Sequence, residues 1–141
     1  GSDYGIGAAD AIKNQGLDVK VLTSGLDSAV LEYLVAEDNP VEFVNGDYWI
    51  SGTMATVALM NYLDGNPLKD ADGNMVFVDN IMPFQITADT YEQFTENFIK
   101  NPCYSAAEIQ AMDGLYNADF DYDAFMEVIA NYSLEERAAA N

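Results

Sequence analysis

The chain has 141 residues and a mass of 15.4 kDa, is half hydrophobic, and carries 24 acidic against 5 basic side chains for a formal net charge of -19. A chain of this length buries roughly two-thirds of its unfolded surface and needs no disulfide or metal to hold a core, and its apolar content excludes a disordered tail. The charge repels phosphate backbones and anionic bilayers, which excludes nucleic acid as a partner and disfavours a membrane surface.

The sequence contains no histidine. Imidazole bases, Ser-His and Cys-His pairs and His metal ligands are therefore all excluded. Cys103 is the single cysteine, so no internal disulfide forms. No run approaches the roughly 18 apolar residues of a membrane-spanning helix, and residues 1–16 do not read as a signal peptide.

In chain order, Ser2 or Asp3 caps a first helix from Asp3 to about Gln15, with Ile6, Ala9 and Ile12 at helical spacing and Gly16 as its stop. Leu17 to Thr23 reads as a buried parallel strand, carrying Val19, Val21 and Leu22. Asp27 or Ser28 caps a second helix over Ala29–Ala36, which Asn39 and Pro40 end. Val41–Val44 alternates as a second strand, broken at Asn45 and Gly46. Asp47–Leu63 is the longest helix, with Ile50, Met54, Val57, Leu59, Met60 and Leu63 as its apolar face and Gly65 as its terminator.

Residues 65–74 form a polar loop, Met75–Val78 and Ile81–Ile86 two strand segments, and Thr87–Thr90 opens a helix presenting Tyr91, Phe94 and Phe98. This alternation predicts an α/β fold in which helices cover both faces of a parallel sheet. It begins with a helix where such folds usually begin with a strand, which reads as a cut from something longer. From Asn101 onward the pattern is helical, near 106–112, 122–131 and 134–140. Two capping boxes, Ser105 with Glu108 and Ser133 with Glu136, mark helix starts there, and packing is expected through Phe120, Phe125, Met126 and Ile129. The expected division is therefore residues 1–100 as an α/β domain and 101–141 as a helical C-terminal extension.

The acidic clusters were weighed as calcium loops. Such a loop needs oxygen ligands at its first, third and fifth positions, glycine at the sixth and glutamate at the twelfth. Starting at Asp70 places Met75 and Ile81 at the last two; starting at Asp119 places Ala124 and Ala130 there. Both fail, leaving a β-turn at 71–74 and a solvated acidic stretch; no metal and no cofactor is expected. Gly5 and Gly7 faintly echo a dinucleotide loop, but no strand precedes them, and close helix packing is the preferred reading. Cys103 has no basic neighbour in sequence to activate a thiolate. Tyr4, Tyr48 and Trp49 stand at helix starts, where open α/β sheets bind ligands outside the carboxyl ends of their strands. Aromatic faces beside Asp and Asn suit sugars; the competing reading is that these rings are core or interface residues.

Several ordered motifs resemble the second half of type I periplasmic binding proteins, the ribose- and galactose-binding kind related to LacI-type effector domains. Ser2-Asp3 with Gly5, Gly7 and Ala8, then Gly16 and a Val-rich strand to Leu22, match its opening. Val41 to Asn45 matches its hinge strand, Leu63-Asp64-Gly65 its helix end, and Ile86-Thr87-Ala88-Asp89 its closing segment. The resemblance covers about residues 2–98. Thr23-Ser24-Gly25-Leu26 departs from it, because an Asp usual there is absent, and residues 101–141 lie outside it.

The resemblance implies a partial periplasmic-binding-protein-like three-layer fold, with pieces of two lobes and a chain crossing near Asn45. It implies a solute-binding component of an ABC-type carbohydrate importer that takes a small sugar without catalysis. Asp3 and Asn45 would bond ligand hydroxyls, with Tyr4, Tyr48 and Trp49 as stacking candidates. The implied partner of the full-length protein is an ABC permease and the implied location extracellular or periplasmic. Exposed strand edges would favour a homodimer or strand exchange. The effector domain of a LacI-type regulator is the alternative, and a glycosidase using two carboxylates is a third class.

Overall fold

A computed structural model describes residues 1–46, 48–79 and 81–140, with the backbone alone at Tyr48. In chain order its elements are α1 (Ser2–Gln15), β1 (Val21–Ser24), α2 (Ser28–Val35), β2 (Val41–Gly46), α3 (Tyr48–Leu63), β3 (Phe84–Ile86), α4 (Tyr91–Phe94), a π-helical segment (Thr95–Lys100), α5 (Ala106–Ala111), α6 (Tyr122–Asn131) and α7 (Leu134–Ala140). The fold is mixed α/β. It divides into two compact units that interleave along the chain, Gly1–Gly46 with Pro83–Ile99, and Asp47–Met82 with Lys100–Asn141. The expected start of the long helix, Asp47, lies outside the described residues.

The first unit is built on the strand order β1-β2-β3. β1 and β2 run parallel, with Leu22 opposite Phe43 and Ser24 opposite Asn45. β3 runs antiparallel to β2, with Gly46 opposite Phe84. The sheet is thus mixed, which corrects the parallel sheet expected from sequence. The connections explain the difference. β1 reaches β2 through a helix, α2, and a helical crossover returns the chain in the same direction. After Gly46 the chain instead passes through the second unit and returns at Pro83, beside the point where it left, so β3 can only run back along β2. Strand formation is also shorter than expected. Residues 17–20 and 81–83 are not strand, and Met75 forms only an isolated bridge to Lys69.

α1 lies against β1, α2 against β2, and the two helices lie side by side. Gly16 closes α1 in the left-handed conformation (φ 63°). The amides of Gly16 and Leu17 reach back to the carbonyls of Lys13 and Ile12, both at 3.1 Å, which satisfies the exposed helix end. On β1, Val21 is buried while its neighbour Leu22 is 61% exposed, so at this strand one face is covered and the other is open. Helices on both faces, as the alternation predicted, are therefore not seen at β1. Val30, Leu31 and Leu34 are the buried stripe of α2, and Asp27 caps it by accepting from the Val30 amide at 3.2 Å. Phe84 of β3 meets Phe94 and Phe98 edge-on, with ring centroids 6.5 and 5.0 Å away.

Gly5 is where α1 comes closest to the sheet. A Cβ there would stand 2.6 Å from Thr23 Oγ1 and 2.8 Å from its Cβ and Cγ2, whereas one at Gly7 would meet open space. Close packing therefore accounts for the first glycine and not the second. Gly5→Ala is expected to cost about 1–3 kcal/mol, because Thr23 sits on a paired strand and yields little. Chemical denaturation would read the loss, and Thr23→Ala in the same chain should recover part of it. An unchanged midpoint in the single variant would show that helix and strand separate freely.

The second unit has its own core. Ile50, Met54 and Val57 of α3 pack with Leu68, Met112, Phe120 and Phe125, and Met126 and Ile129 lie partly buried against them. The C-terminal helices thus share one core with α3. The buried face of α3 continues to Asn61, while Leu59 and Leu63 are 56% and 71% exposed. Of the apolar face read from sequence, Ile50, Met54 and Val57 are buried as expected, while Leu59 and Leu63 lie off the buried stripe. Two of the late helices start where the capping residues read from sequence stand, and Asp121, accepting from the Ala124 amide at 3.0 Å, caps the third. Ser105 and Glu108 form a full reciprocal capping box. Ser133 caps α7 by accepting from the Glu136 amide at 3.0 Å, but the Glu136 carboxylate turns to Arg137 instead of reaching back.

Candidate functional site

In the first unit the parallel pair ends with Ser24 beside Asn45, and the start of α1 lies against this end. Two contacts hold it there, and a third closes the strand end itself. Thr23 Oγ1 donates to the Gly1 carbonyl at 3.3 Å, the Gly25 amide donates to the Asn45 carbonyl at 3.0 Å, and Ser2 lies directly against Gly25. A side chain at Gly25 would collide with Ser2, so this position is confined to glycine both by space and by its φ of 111°. The Ser2 hydroxyl neighbours the Asp27 carboxylate. The effect of that neighbouring hydroxyl, with the amides at the start of α2, outweighs a slight desolvation and holds Asp27 below the usual carboxylate range.

A cleft of about 500 Å³ opens at this place. Tyr4 and Ala8 of α1, Leu22 and Ser24 of β1, and Phe43 and Asn45 of β2 line it. Two of the residues singled out in the sequence, Tyr4 and Asn45, therefore come together. Tyr4 is 85% exposed, which removes it from the core, and Asn45 is half-buried in its strand. Asp3 is exposed in the first turn of α1 and does not line the cleft. Trp49 is half-buried on α3 and belongs to the second unit. The side chain of Tyr48 lies outside the described residues. Sequence reasoning missed Ser24 and Phe43. Ser24 stood out in the sequence only within the stretch 23–26 that departs from the resemblance, yet its place just after the expected parallel strand is a signal that could have found it.

Chemically, the cleft offers an amide and a hydroxyl on one rim and the rings of Tyr4 and Phe43. Amides and hydroxyls both donate and accept, which suits a ligand rich in hydroxyl groups. No group of three His, Cys, Asp or Glu side chains placed to hold a metal ion occurs among the described residues.

The other reactive-looking groups are structural. Asp70 Oδ1 accepts from the amides of Asp72 and Asn74 at 2.9 and 2.8 Å, and Oδ2 from the Asn74 side chain at 3.0 Å. The bonds from Asn74, side chain before backbone, hold the Asp70 carboxyl low, and its oxygens face inward on their own turn. In the second unit a cavity of about 410 Å³ lies between α5, α6 and α7, bordered by Tyr104, Glu108, Phe120 and Arg137. Arg137 donates to Glu108 Oε1 at 2.9 Å, to the Cys103 carbonyl at 2.8 Å and to both Glu136 oxygens, and its guanidinium stacks 4.1 Å from the centre of the Tyr104 ring. The thiol of Cys103 is buried, and burial pushes it up to about 11 despite the nearby guanidinium, so the thiolate needed for nucleophilic chemistry does not form near neutral pH.

No protein-family model, no curated protein and no solved structure matches this chain.

Proposed function

We propose that the chain is a solute-binding module that takes a small carbohydrate without catalysis, as the C-terminal part of a periplasmic-binding-protein-like fold. The observation that carries this reading is the grouping of Ser24, Asn45 and Tyr4 around one cleft that runs along β1 and reaches the carboxyl ends of the two parallel strands, the side on which open α/β sheets take ligands. The course of the chain agrees with it. The chain leaves the first unit directly after Asn45-Gly46 and re-enters beside that point at Pro83, the arrangement that the motif resemblance assigns to a hinge. In this reading the Asn45 amide bonds sugar hydroxyls, Ser24 adds a hydroxyl partner, and Tyr4 covers the apolar face of the ring. Asp3, exposed on the first turn of α1 and outside the cleft lining, is a hydroxyl partner only by the motif resemblance. The protein would work outside the cytoplasmic membrane and deliver its sugar to an ABC permease.

Calorimetric titration with a panel of pentoses and hexoses tests this. One sugar should bind saturably, and Asn45→Ala should weaken it about 10-fold or more, the equivalent of losing one to two hydrogen bonds to an uncharged ligand. Tyr4→Ala should weaken it as well. Saturable binding that both variants leave intact would place the site elsewhere, and hydrolysis of aryl glycosides by the pure protein would replace binding with catalysis.

A further inference from the structure

The segment Leu17–Lys20 reads as strand and is not one. Its β-branched alternation continues directly into β1, yet the ladder with β2 begins only at Val21. Among the described residues, Asp18 and Val19 make no hydrogen bond, and Leu17 and Val19 are 50% and 52% exposed. β1 is also an edge strand, paired on one side only. The other edge is short and preceded by Pro83, a residue that cannot donate to a ladder, whereas the β1 side has no such guard.

We infer that Leu17–Val21 is the site at which a second copy of this chain adds, antiparallel, about a two-fold axis through Val19. The sequence is complementary to itself in that register. Leu17 of one copy stands opposite Val21 of the other, Val19 opposite Val19, and Asp18 opposite Lys20 twice over. Opposite charges directly across a strand pair stabilise it, and like charges destabilise it. In any other symmetric register this cancellation is lost. Lys20 is free to take part, since its ion pair with Glu42, at 3.6 Å, is between two largely exposed side chains and holds little. A two-fold contact satisfies both edges at once, so the assembly closes at two copies. The axis at Val19 leaves Ser24 and Asn45 at the far end of β1, so this contact and the sugar reading stand or fall separately.

The test is sedimentation equilibrium of the whole chain from micromolar to near-millimolar concentration in 0.3 M salt, which screens the net charge of -19 on each copy. The mass is expected to rise from 15.4 kDa to twice that value. Asp18→Lys and Lys20→Asp, each at an exposed position, should each weaken the dimer at least 10-fold by setting like charges opposite. The double variant carrying both restores complementarity and should restore the dimer. A single 15.4 kDa species at every concentration overturns the inference, as does a dimer that neither charge change affects or that the double change fails to rescue.

Discussion

Arg137→Met is expected to destabilise the second unit by about 3 kcal/mol, a large share of the 5–15 kcal/mol of a typical domain. The guanidinium is 5% exposed; it pairs with its neighbour Glu136 on α7 and ties that helix to a segment about thirty residues earlier, through Glu108 of α5 and the Cys103 carbonyl just before it. Methionine keeps much of the aliphatic packing but none of the donors. The buried Cys103 carbonyl and the Glu108 Oε1 then lose their donor, although Glu108 Oε2 keeps its bonds from Ser105. Leaving such groups unpaired costs more than the bonds themselves contributed, because their hydration is not recovered. Thermal unfolding followed by circular dichroism should fall by about 10 °C. A loss below about 1 kcal/mol would show that water reaches these groups and that the arginine is an ordinary surface cation.

The same network sets an acid response. Burial pushes the Glu108 carboxyl up, but the bonds from Ser105 and then from Arg137 outweigh it and hold the group below its ordinary value of 4.5. A carboxyl held low in the folded state binds fewer protons than it does unfolded. Its contribution is therefore complete above pH 4.5 and is lost as the pH falls through the lower folded value. In Arg137→Met this part of the acid limb should flatten, a readout that loss of packing alone would not move.

Asn61→Ala should cost about 3 kcal/mol for a different reason. Asn61 is fully buried on α3. Its amide nitrogen donates to the carbonyls of Val57 and Met112 at 2.9 and 2.8 Å, and its oxygen accepts from the Gly114 amide at 2.8 Å. It thus substitutes for secondary structure where the chain turns after α5. Truncation leaves the Met112 carbonyl and the Gly114 amide without partners and opens a small void, each at a cost of about 1–3 kcal/mol when buried. Urea denaturation would measure the loss, and amide exchange at Gly114 should lose its protection in the native state. Asn61→Asp keeps the shape, yet it should be at least as damaging at neutral pH. A carboxylate cannot donate, and it would place a charge against the Met112 carbonyl. If both variants unfold at the parent midpoint, the turn at 112–114 is held by its own local bonds.

The sequence by itself determined the local features. α5, α6 and α7 begin where Ser105, Asp121 and Ser133 offer side-chain oxygens to the amides of the next turn, a contact made within four residues. Asp27 marks the start of α2 in the same way, and Gly16 marks the end of α1 by its left-handed backbone. The α/β alternation also followed from short-range periodicity. What only the tertiary structure decided depends on partners far along the chain. Residues 17–20 have the composition of a strand but no neighbour to pair with, and Met75–Val78 reads as a strand but makes only a single bridge, at Met75. The antiparallel β3 follows from where the chain re-enters the sheet. Asn61 lies buried against the Met112 carbonyl and the Gly114 amide while the more apolar Leu59 and Leu63 stay exposed, a choice that local hydropathy does not make. Tyr4, Ser24 and Asn45 meet because a β–α–β register sets one strand end beside another, whereas Trp49, four residues after Asn45, falls in a different unit. A sequence states what each residue prefers locally; which preferences are met is decided by the backbone groups and apolar surfaces that the rest of the chain brings against them.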